Sequence, residues 1–201
     1  MNKLGITIDG LKFDASKHIY EVDGKVLPSV TSIINFRPDP FRGISKEVLD
    51  AAADRGTVVH EAIETWLEYK LDVLVNEEHR GYFSAFVTWF GNHDVEPLAT
   101  ELGLYHPVLM YAGKLDMLAN VDGMVTLVDY KTASSIDEVA YGMQLEAYRQ
   151  ALKMHGVEVS KKLILQLKAD GTYREFEMKD NPQVWLDFNC GRRWYECWNR
   201  R

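Results

Sequence analysis

Two acidic motifs lie close together in the middle of the chain: Asp116 ends a Gly-Lys-Leu-Asp segment, and Asp129 and Lys131 form an Asp-x-Lys motif. Between them, Asp122-Gly123 favours a two-residue type I′ turn, which needs positive φ at both central positions. The pairing set by that turn places Asp116 opposite Asp129. Opposed residues have Cβ atoms roughly 4.5–5.5 Å apart, and two carboxylates there repel unless a cation lies between them. The hairpin therefore predicts a divalent metal site.

Lys131 completes the predicted chemistry. Period-two alternation places it on the same face as Asp129, with Leu115, Met117 and Ala119 on the opposite face. Mg²⁺ or Mn²⁺ on oxygen ligands can polarise a phosphoryl oxygen and supply hydroxide, while a lysine stabilises charge on phosphate or orients the water. The pattern predicts phosphodiester hydrolysis. The alternative is a surface hairpin whose acidic and basic side chains neutralise one another.

A helix predicted over 50–70 carries His60 and Glu64 as an i, i+4 pair beside its apolar stripe. An imidazole and a carboxylate on one helix face can ligate a metal. They can equally be a hydrogen-bonded histidine and its solvated partner.

A second helix, predicted over 137–155, carries Gln144 and Tyr148 as i, i+4 neighbours. By themselves these two residues indicate an exposed amide and a core tyrosine.

In chain order, the motifs resemble the PD-(D/E)XK nuclease superfamily, and within it the RecB-like branch of phage-type and mitochondrial-genome-maintenance-type exonucleases. The resemblance covers roughly residues 50 to 168. The motifs that carry it are Gly56-x-x-x-His60-x-x-x-Glu64, Gly113-x-x-Asp116, Asp129-Tyr130-Lys131-Thr132 and Gln144-Leu145-x-x-Tyr148. Two upstream segments, Tyr20-x-x-x-Gly24 and 27–34, are similar to the lead-in of phage-encoded members.

The resemblance implies that His60, Asp116, Asp129 and the Tyr130 carbonyl bind the metal and that Lys131 is the catalytic lysine. Asp116 and Asp129 are counted with Lys131 as catalytic.

Other roles follow from the same resemblance. Glu64 and Glu101 are assigned to a second shell or a second metal. Gln144 and Tyr148 match the branch's downstream motif and would touch the lysine region or the nucleic-acid backbone. They are assigned to nucleic-acid binding together with Arg55 and with Ser29, which lies at a predicted helix N-terminus that can receive a phosphate.

The implied cofactor is Mg²⁺ or Mn²⁺. Several relatives bind an iron–sulfur cluster through four cysteines, whereas this chain has two, Cys190 and Cys197, so we expect no iron–sulfur cluster. The implied partners are DNA, as single strands or ends, and a phage recombination or replication protein. The expected location is the cytoplasm of a bacterial host, with the gene carried by a phage or prophage.

Composition agrees with one domain over 1–201. The chain is 46% hydrophobic and 26% charged, without an apolar run long enough to span a bilayer or a secretory signal. Its net charge of −7 argues against wholesale coating of nucleic acid. DNA binding then depends on the metal and on local basic clusters, of which the chain has three: Arg37 with Arg42, Lys161-Lys162, and Arg192-Arg193 with Arg200-Arg201.

The predicted fold is α/β: a restriction-endonuclease-like core with a central mixed β-sheet flanked by helices, preceded by an N-terminal β-hairpin at 11–27. Residues 1–49 form the lead-in, 50–178 the core and 179–201 a C-terminal helix. An aromatic helix over 76–93 is predicted to bury its stripe in the core. The aromatic residues of the C-terminal helix, Trp185, Phe188, Trp194 and Trp198, indicate docking on the core, with base stacking as the alternative.

The function that these observations predict is a metal-dependent deoxyribonuclease, an exonuclease acting at DNA ends with a preference for single strands, in phage or bacterial replication, recombination or repair. Two alternatives stay open. One is a catalytically weak subunit of the same fold that binds nucleic acid or a partner, and the other is a metal-dependent nucleotide phosphohydrolase.

Overall fold

A computed structural model describes residues 2–5, 8–36, 43–70 and 73–199. The chain begins with a three-stranded antiparallel sheet of β1 (Leu11–Asp14), β2 (Ile19–Val22) and β3 (Lys25–Leu27). Three helices follow: α1 (Val30–Asn35), α2 (Lys46–Tyr69) and α3 (Glu77–Asn92). The remaining elements are β4 (Val95–His106), β5 (Tyr111–Val121), β6 (Met124–Lys131), α4 (Glu138–Met154), β7 (Lys161–Leu167), β8 (Tyr173–Glu177) and α5 (Pro182–Asn199).

The central sheet has the strand order β4-β5-β6-β7-β8. Strands β6 and β7 are parallel, and every other neighbouring pair is antiparallel. A parallel pair needs a crossover connection, which α4 provides. This mixed sheet with flanking helices and a small N-terminal sheet confirms the predicted α/β fold class.

Helices cover both faces of the central sheet. Helices α2 and α3 pack against one face, and α1, α4 and α5 pack against the other. The buried side chains that define the first layer include Val59, Ile63, Phe86, Trp89 and Met117. Those of the second include Ile33, Leu118, Leu145, Leu152 and Phe188.

The predicted alternation along β5 is wrong at one residue. Met117 and Ala119 lie in the layer of α2 and α3, but Leu115 lies in the layer of α1, α4 and α5. The change of side occurs at Asp116, where the neighbouring strand is also irregular, because Glu101 has a left-handed backbone with φ of 49°. A left-handed residue interrupts the regular pleat on which the alternation depends.

The predicted N-terminal hairpin is a three-stranded sheet. Its Asp23-Gly24 turn lies where expected and joins β2 to β3. Helix α2 begins at Lys46, before the predicted start, because Ser45 caps it by accepting a hydrogen bond from the Val48 N–H.

The two aromatic helices differ in burial. Phe86 and Trp89 of α3 are fully buried, as predicted. In α5, Phe188 is buried, but Trp194 and Trp198 are 70% and 61% exposed. The docking prediction is therefore wrong for these two tryptophans, because the side of α5 that carries them faces solvent.

Four of the basic residues noted in the sequence, Arg37, Arg42, Arg200 and Arg201, lie outside the described residues. In the part of the chain that is described, no helix combines the length and apolar composition needed to cross a membrane.

Candidate metal centre

The β5–β6 hairpin fixes the positions of the two motif aspartates. Asp122 and Gly123 have φ of 51° and 84°, as a type I′ turn requires, and the strand register confirms the predicted pairing. The regular ladder ends one pair before Asp116 and Asp129. There, Asp116 Oδ2 accepts a hydrogen bond from the Tyr130 N–H at 2.8 Å. A side chain thus replaces the main-chain bond at this end of the hairpin.

Three side chains from three elements meet beside that end. His60 Nδ1 on α2 lies 3.7 Å from Asp116 Oδ1 on β5 and 4.0 Å from Glu101 Oε1 on β4. The donor atoms of these residues all lie within 4.8 Å of one another. The other ring nitrogen, Nε2, lies 3.2 Å from the Tyr130 carbonyl oxygen. A carbonyl can only accept, so we assign the hydrogen to Nε2, and the Nδ1 lone pair faces the carboxylates.

Glu101, which belongs to this cluster, has a left-handed backbone conformation. It lies between the pairs Thr100↔Met117 and Leu102↔Leu115, so it stands across from Asp116. A left-handed backbone at a residue other than glycine costs about 1–3 kcal/mol of free energy, and such residues are often found at functional sites. The surrounding strand pairing holds Glu101 in that conformation and directs its carboxylate to the centre.

Asp129 and Lys131 form the second half of the site. Asp129 is almost fully buried, and its Oδ2 forms an ion pair with the Lys131 ammonium. Its Oδ1 accepts a hydrogen bond of 3.0 Å from the Gln144 side-chain amide on α4. The Lys131 ammonium also lies 4.8 Å from the centroid of the Tyr141 ring. Helix α4 therefore orients both residues of the Asp-x-Lys motif.

Gly113 and Tyr148 fit each other closely. A Cβ atom on Gly113 would lie 2.6 Å from Cε1 of the Tyr148 ring, which leaves no room for any side chain. Tyr148 is 3% exposed, so its hydroxyl lies in the interior near Asp129. Two distant sequence motifs thus meet in one packing contact.

Burial and neighbouring charges shift the pKa values of four titratable groups at the site. Burial and the Asp129 charge raise the pKa of Asp116 to about 8, and burial raises the pKa of Glu101. Burial and the charge of Lys131 lower the pKa of His60. Burial favours a lower pKa for Lys131 too, but the charges of Asp129 and Asp116 outweigh it and raise that pKa. The Lys131 ammonium therefore stays charged, whereas burial makes the carboxyl groups of Asp116 and Glu101 harder to ionise.

These donors fit a divalent cation. A neutral imidazole nitrogen and two carboxylate oxygens suit Mg²⁺ or Mn²⁺. Burial and then the Asp129 charge raise the pKa of Asp116, and a bound cation would oppose both effects by stabilising the ionised carboxylate. The residues that would hold it are His60, Asp116 and Glu101. Asp129 and the Tyr130 carbonyl, which were also predicted as ligands, lie next to these residues. Asp129 is held by Lys131 and Gln144. The Tyr130 carbonyl oxygen contacts His60.

Gln144 and Tyr148, predicted to touch the lysine region or nucleic acid, lie in the interior of the site beside the Asp-x-Lys motif, and their role in nucleic-acid binding stays a prediction. Gln144 donates to Asp129, and Tyr148 is buried against Gly113. The prediction that the Gln144 amide is exposed is wrong, because the amide is partly buried and donates to Asp129. Asp129 lies on β6, and α4 packs against β6 only because it forms the crossover to β7.

The other predicted residues have different surroundings. Arg55 donates from Nε to Thr132 Oγ1 at 3.3 Å, next to Lys131. Ser29 is buried, and its hydroxyl accepts a hydrogen bond from the Ser32 N–H to cap α1. Glu64 is partly buried and is not part of the His60 cluster. Their predicted roles stay predictions.

Lys114 had no role in the sequence prediction, although it lies inside the Gly113-x-x-Asp116 motif. Its ammonium forms an ion pair with Glu101 Oε2. The sequence did contain a signal for Lys114: it lies two residues before Asp116 on a predicted strand, and residues two apart on a strand share a face. Tyr141 was also missed, because nothing in its local sequence points to Lys131.

The fold and the site are those of an α/β protein with a candidate divalent-metal centre at the end of its central hairpin. Residues 76–187, more than half of the chain, match the family model of the PD-(D/E)XK nuclease superfamily. The protein belongs to this superfamily, whose members are nucleases that use divalent metal ions. A comparison with curated proteins finds no match.

Proposed function

We propose that the protein is a Mg²⁺- or Mn²⁺-dependent deoxyribonuclease whose reaction takes place between the His60 cluster and Lys131. The observation that carries the proposal is the buried Asp129–Lys131 ion pair at the end of β6, beside the cluster of His60, Glu101 and Asp116. A divalent cation bound there supplies Lewis-acid activation of phosphate and a hydroxide nucleophile at neutral pH.

The chain's own residues then have distinct tasks. Lys131 holds a charged ammonium that stabilises negative charge on the scissile phosphate. Asp129 fixes the ammonium in place, and Gln144 fixes Asp129. His60, neutral with Nδ1 turned inward, and Asp116 supply donor atoms for the cation.

Asp129 and the Tyr130 carbonyl, the other two ligands that the resemblance implies, would add oxygen donors for the same cation. Tyr130 adjoins the cluster, since its carbonyl oxygen lies 3.2 Å from His60 Nε2 and its N–H donates to Asp116.

The substrate assignment is DNA, cleaved from an end with a preference for single strands. It is supported by the resemblance to the RecB-like branch, carried by Gly56, His60, Gln144 and Tyr148. Arg55, anchored on Thr132 beside the Asp-x-Lys motif, is a cationic group placed to bind a neighbouring phosphate. The same resemblance supports a role in phage or bacterial replication, recombination or repair, with a recombination or replication protein as partner in a bacterial cytoplasm.

End-labelled single-stranded DNA, end-labelled duplex and covalently closed circles, each incubated with Mg²⁺, Mn²⁺ or EDTA, test the proposal. We expect metal-dependent shortening from ends, faster on single strands, with circles left intact. The matched control is Lys153→Met, which removes an exposed lysine near the end of α4 that pairs loosely with Glu158 and should leave the rate unchanged.

Other outcomes assign other functions. Rapid cutting of circles would make the protein an endonuclease. Hydrolysis of free nucleotides without DNA cleavage would support the phosphohydrolase alternative, and DNA binding without any turnover would support a subunit that depends on another protein for catalysis.

A further inference from the structure

Lys114 forms an ion pair with a carboxylate of the candidate metal cluster. Its ammonium contacts Oε2 of Glu101, while Oε1 of the same carboxylate faces His60 Nδ1 at 4.0 Å. One carboxylate therefore connects the candidate metal position to the lysine. Two-metal phosphodiesterase sites place their cations about 3.5–4 Å apart, bridged in this manner by carboxylates.

The fold gives this pair little freedom on the Glu101 side. The Glu101 side chain is 13% exposed, and its left-handed backbone lies in the middle of β4, between two paired positions. Lys114 lies on the adjoining strand, paired with Gly103. Its side chain is 42% exposed, so the ammonium reaches the carboxylate from the solvent side and stays accessible to a phosphate.

Charge balance favours one divalent cation with this lysine in place. The site contains the carboxylates of Glu101, Asp116 and Asp129 and the ammonium groups of Lys114 and Lys131. With all of them ionised, one divalent cation leaves a single positive charge, which one phosphodiester anion neutralises. A second divalent cation would add two more positive charges with no carboxylate in the described cluster left to balance them.

We propose that the Lys114 ammonium takes the place of a second divalent cation, so that the centre binds one Mg²⁺ or Mn²⁺ per chain and the lysine itself faces the substrate phosphate. The inference rests on the proposed function, because it assumes that the His60 cluster binds a metal. Removal of the ammonium frees Glu101 Oε2, the oxygen that does not face His60, as a ligand for a second cation.

Mn²⁺ titration of the full chain without DNA tests this inference by calorimetry and by electron paramagnetic resonance. We expect one Mn²⁺ per wild-type chain, with the spectrum of an isolated ion. Lys114→Met should bind two Mn²⁺ with the magnetic coupling of neighbouring ions.

Two matched variants serve as controls. Lys114→Arg keeps the positive charge and should bind one Mn²⁺, and Lys161→Met removes a lysine elsewhere on the sheet and should also bind one. Thermal unfolding of each variant verifies that it is folded. A wild-type chain that binds two Mn²⁺, or a folded Lys114→Met that binds only one, would overturn the inference. A wild-type chain that binds no Mn²⁺ would contradict the proposed function itself.

Discussion

The Gln144 side-chain amide donates a hydrogen bond of 3.0 Å to Oδ1 of Asp129, on the side of the carboxylate away from Lys131. A residue on the crossover helix thereby fixes the orientation of a residue on the strand that precedes it. Since Asp129 in turn holds the Lys131 ammonium, the geometry of the lysine depends on helix α4. This linkage explains how a glutamine on the helix after β6 reaches the Asp-x-Lys motif.

Substitution Gln144→Ala removes the amide that orients Asp129. Partners of this kind commonly contribute about 10- to 100-fold to metal affinity or activity. We therefore expect about a 10-fold or larger fall in kcat on labelled DNA, with the fold intact. The control is Gln183→Ala in α5, where the amide contacts only the exposed Asp187 side chain, and the rate should stay at the wild-type value. Equal rates for Gln144→Ala and wild type would contradict the positioning role.

Substitution Lys131→Met removes the ammonium and keeps much of the side-chain volume. Loss of one group that stabilises transition-state charge commonly lowers the rate about 100-fold or more. Mn²⁺ binding should persist, because the lysine contacts Asp129 and not the donor atoms of His60. Single-turnover cleavage and calorimetry on the same protein sample measure the two effects. Wild-type cleavage by Lys131→Met would refute the assignment of the catalytic lysine.

Substitution Gly113→Ala places a methyl group within 2.6 Å of the Tyr148 ring. Overpacking of a filled interior typically costs about 1–3 kcal/mol of unfolding free energy. Gly91 is the matched control: it lies in helix α3 with open space around its Cβ position, so Gly91→Ala should stabilise the protein by about 0.5–1 kcal/mol. Urea denaturation measures both. A Gly113→Ala protein as stable as wild type would show that the ring moves aside without cost.

Substitution Asp116→Asn should stabilise the metal-free protein at alkaline pH. The pKa of Asp116 is raised from 3.8 to about 8 by burial and by the Asp129 charge. Its contribution to stability is therefore complete below about pH 4 and is lost as pH rises through about 8. In EDTA, wild type should lose melting temperature between pH 5.5 and 8.5 relative to Asp116→Asn, and the exposed Asp54→Asn variant should follow wild type.

The same carboxyl group couples metal binding to pH. A cation competes with the proton on Asp116, so Mn²⁺ affinity should rise as pH increases towards about 8. Asp116→Asn should lose both the binding and its pH dependence. A Mn²⁺ affinity that is constant between pH 6 and 8.5 would contradict this assignment.

Much of the architecture follows from local sequence signals. The Asp122-Gly123 turn fixed the hairpin register because both residues accept positive φ, and a two-residue turn permits only one pairing of the flanking strands. The buried aromatic stripe of α3 follows equally from helical spacing. The RecB-like assignment, the end preference and the roles of individual site residues stay predictions.

The chemistry of the centre depends on contacts that the sequence could not determine. Glu101 enters the cluster through a backbone conformation imposed by neighbouring strands, and the same irregularity moves Leu115 to the other face of the sheet. Lys114 gains its role from that conformation too, because Glu101 is its partner.

The sequence by itself therefore determined which motifs are present, the class of fold and the pairing of the metal-site hairpin, since these depend on interactions between residues close together in the chain. Only the tertiary structure decided which carboxylates share His60, what Gln144 and Tyr148 contact, and why Gly113 must be a glycine. Those contacts join elements far apart in the chain, and their geometry is set by how the helices and strands pack around one another, to which no local pattern is sensitive.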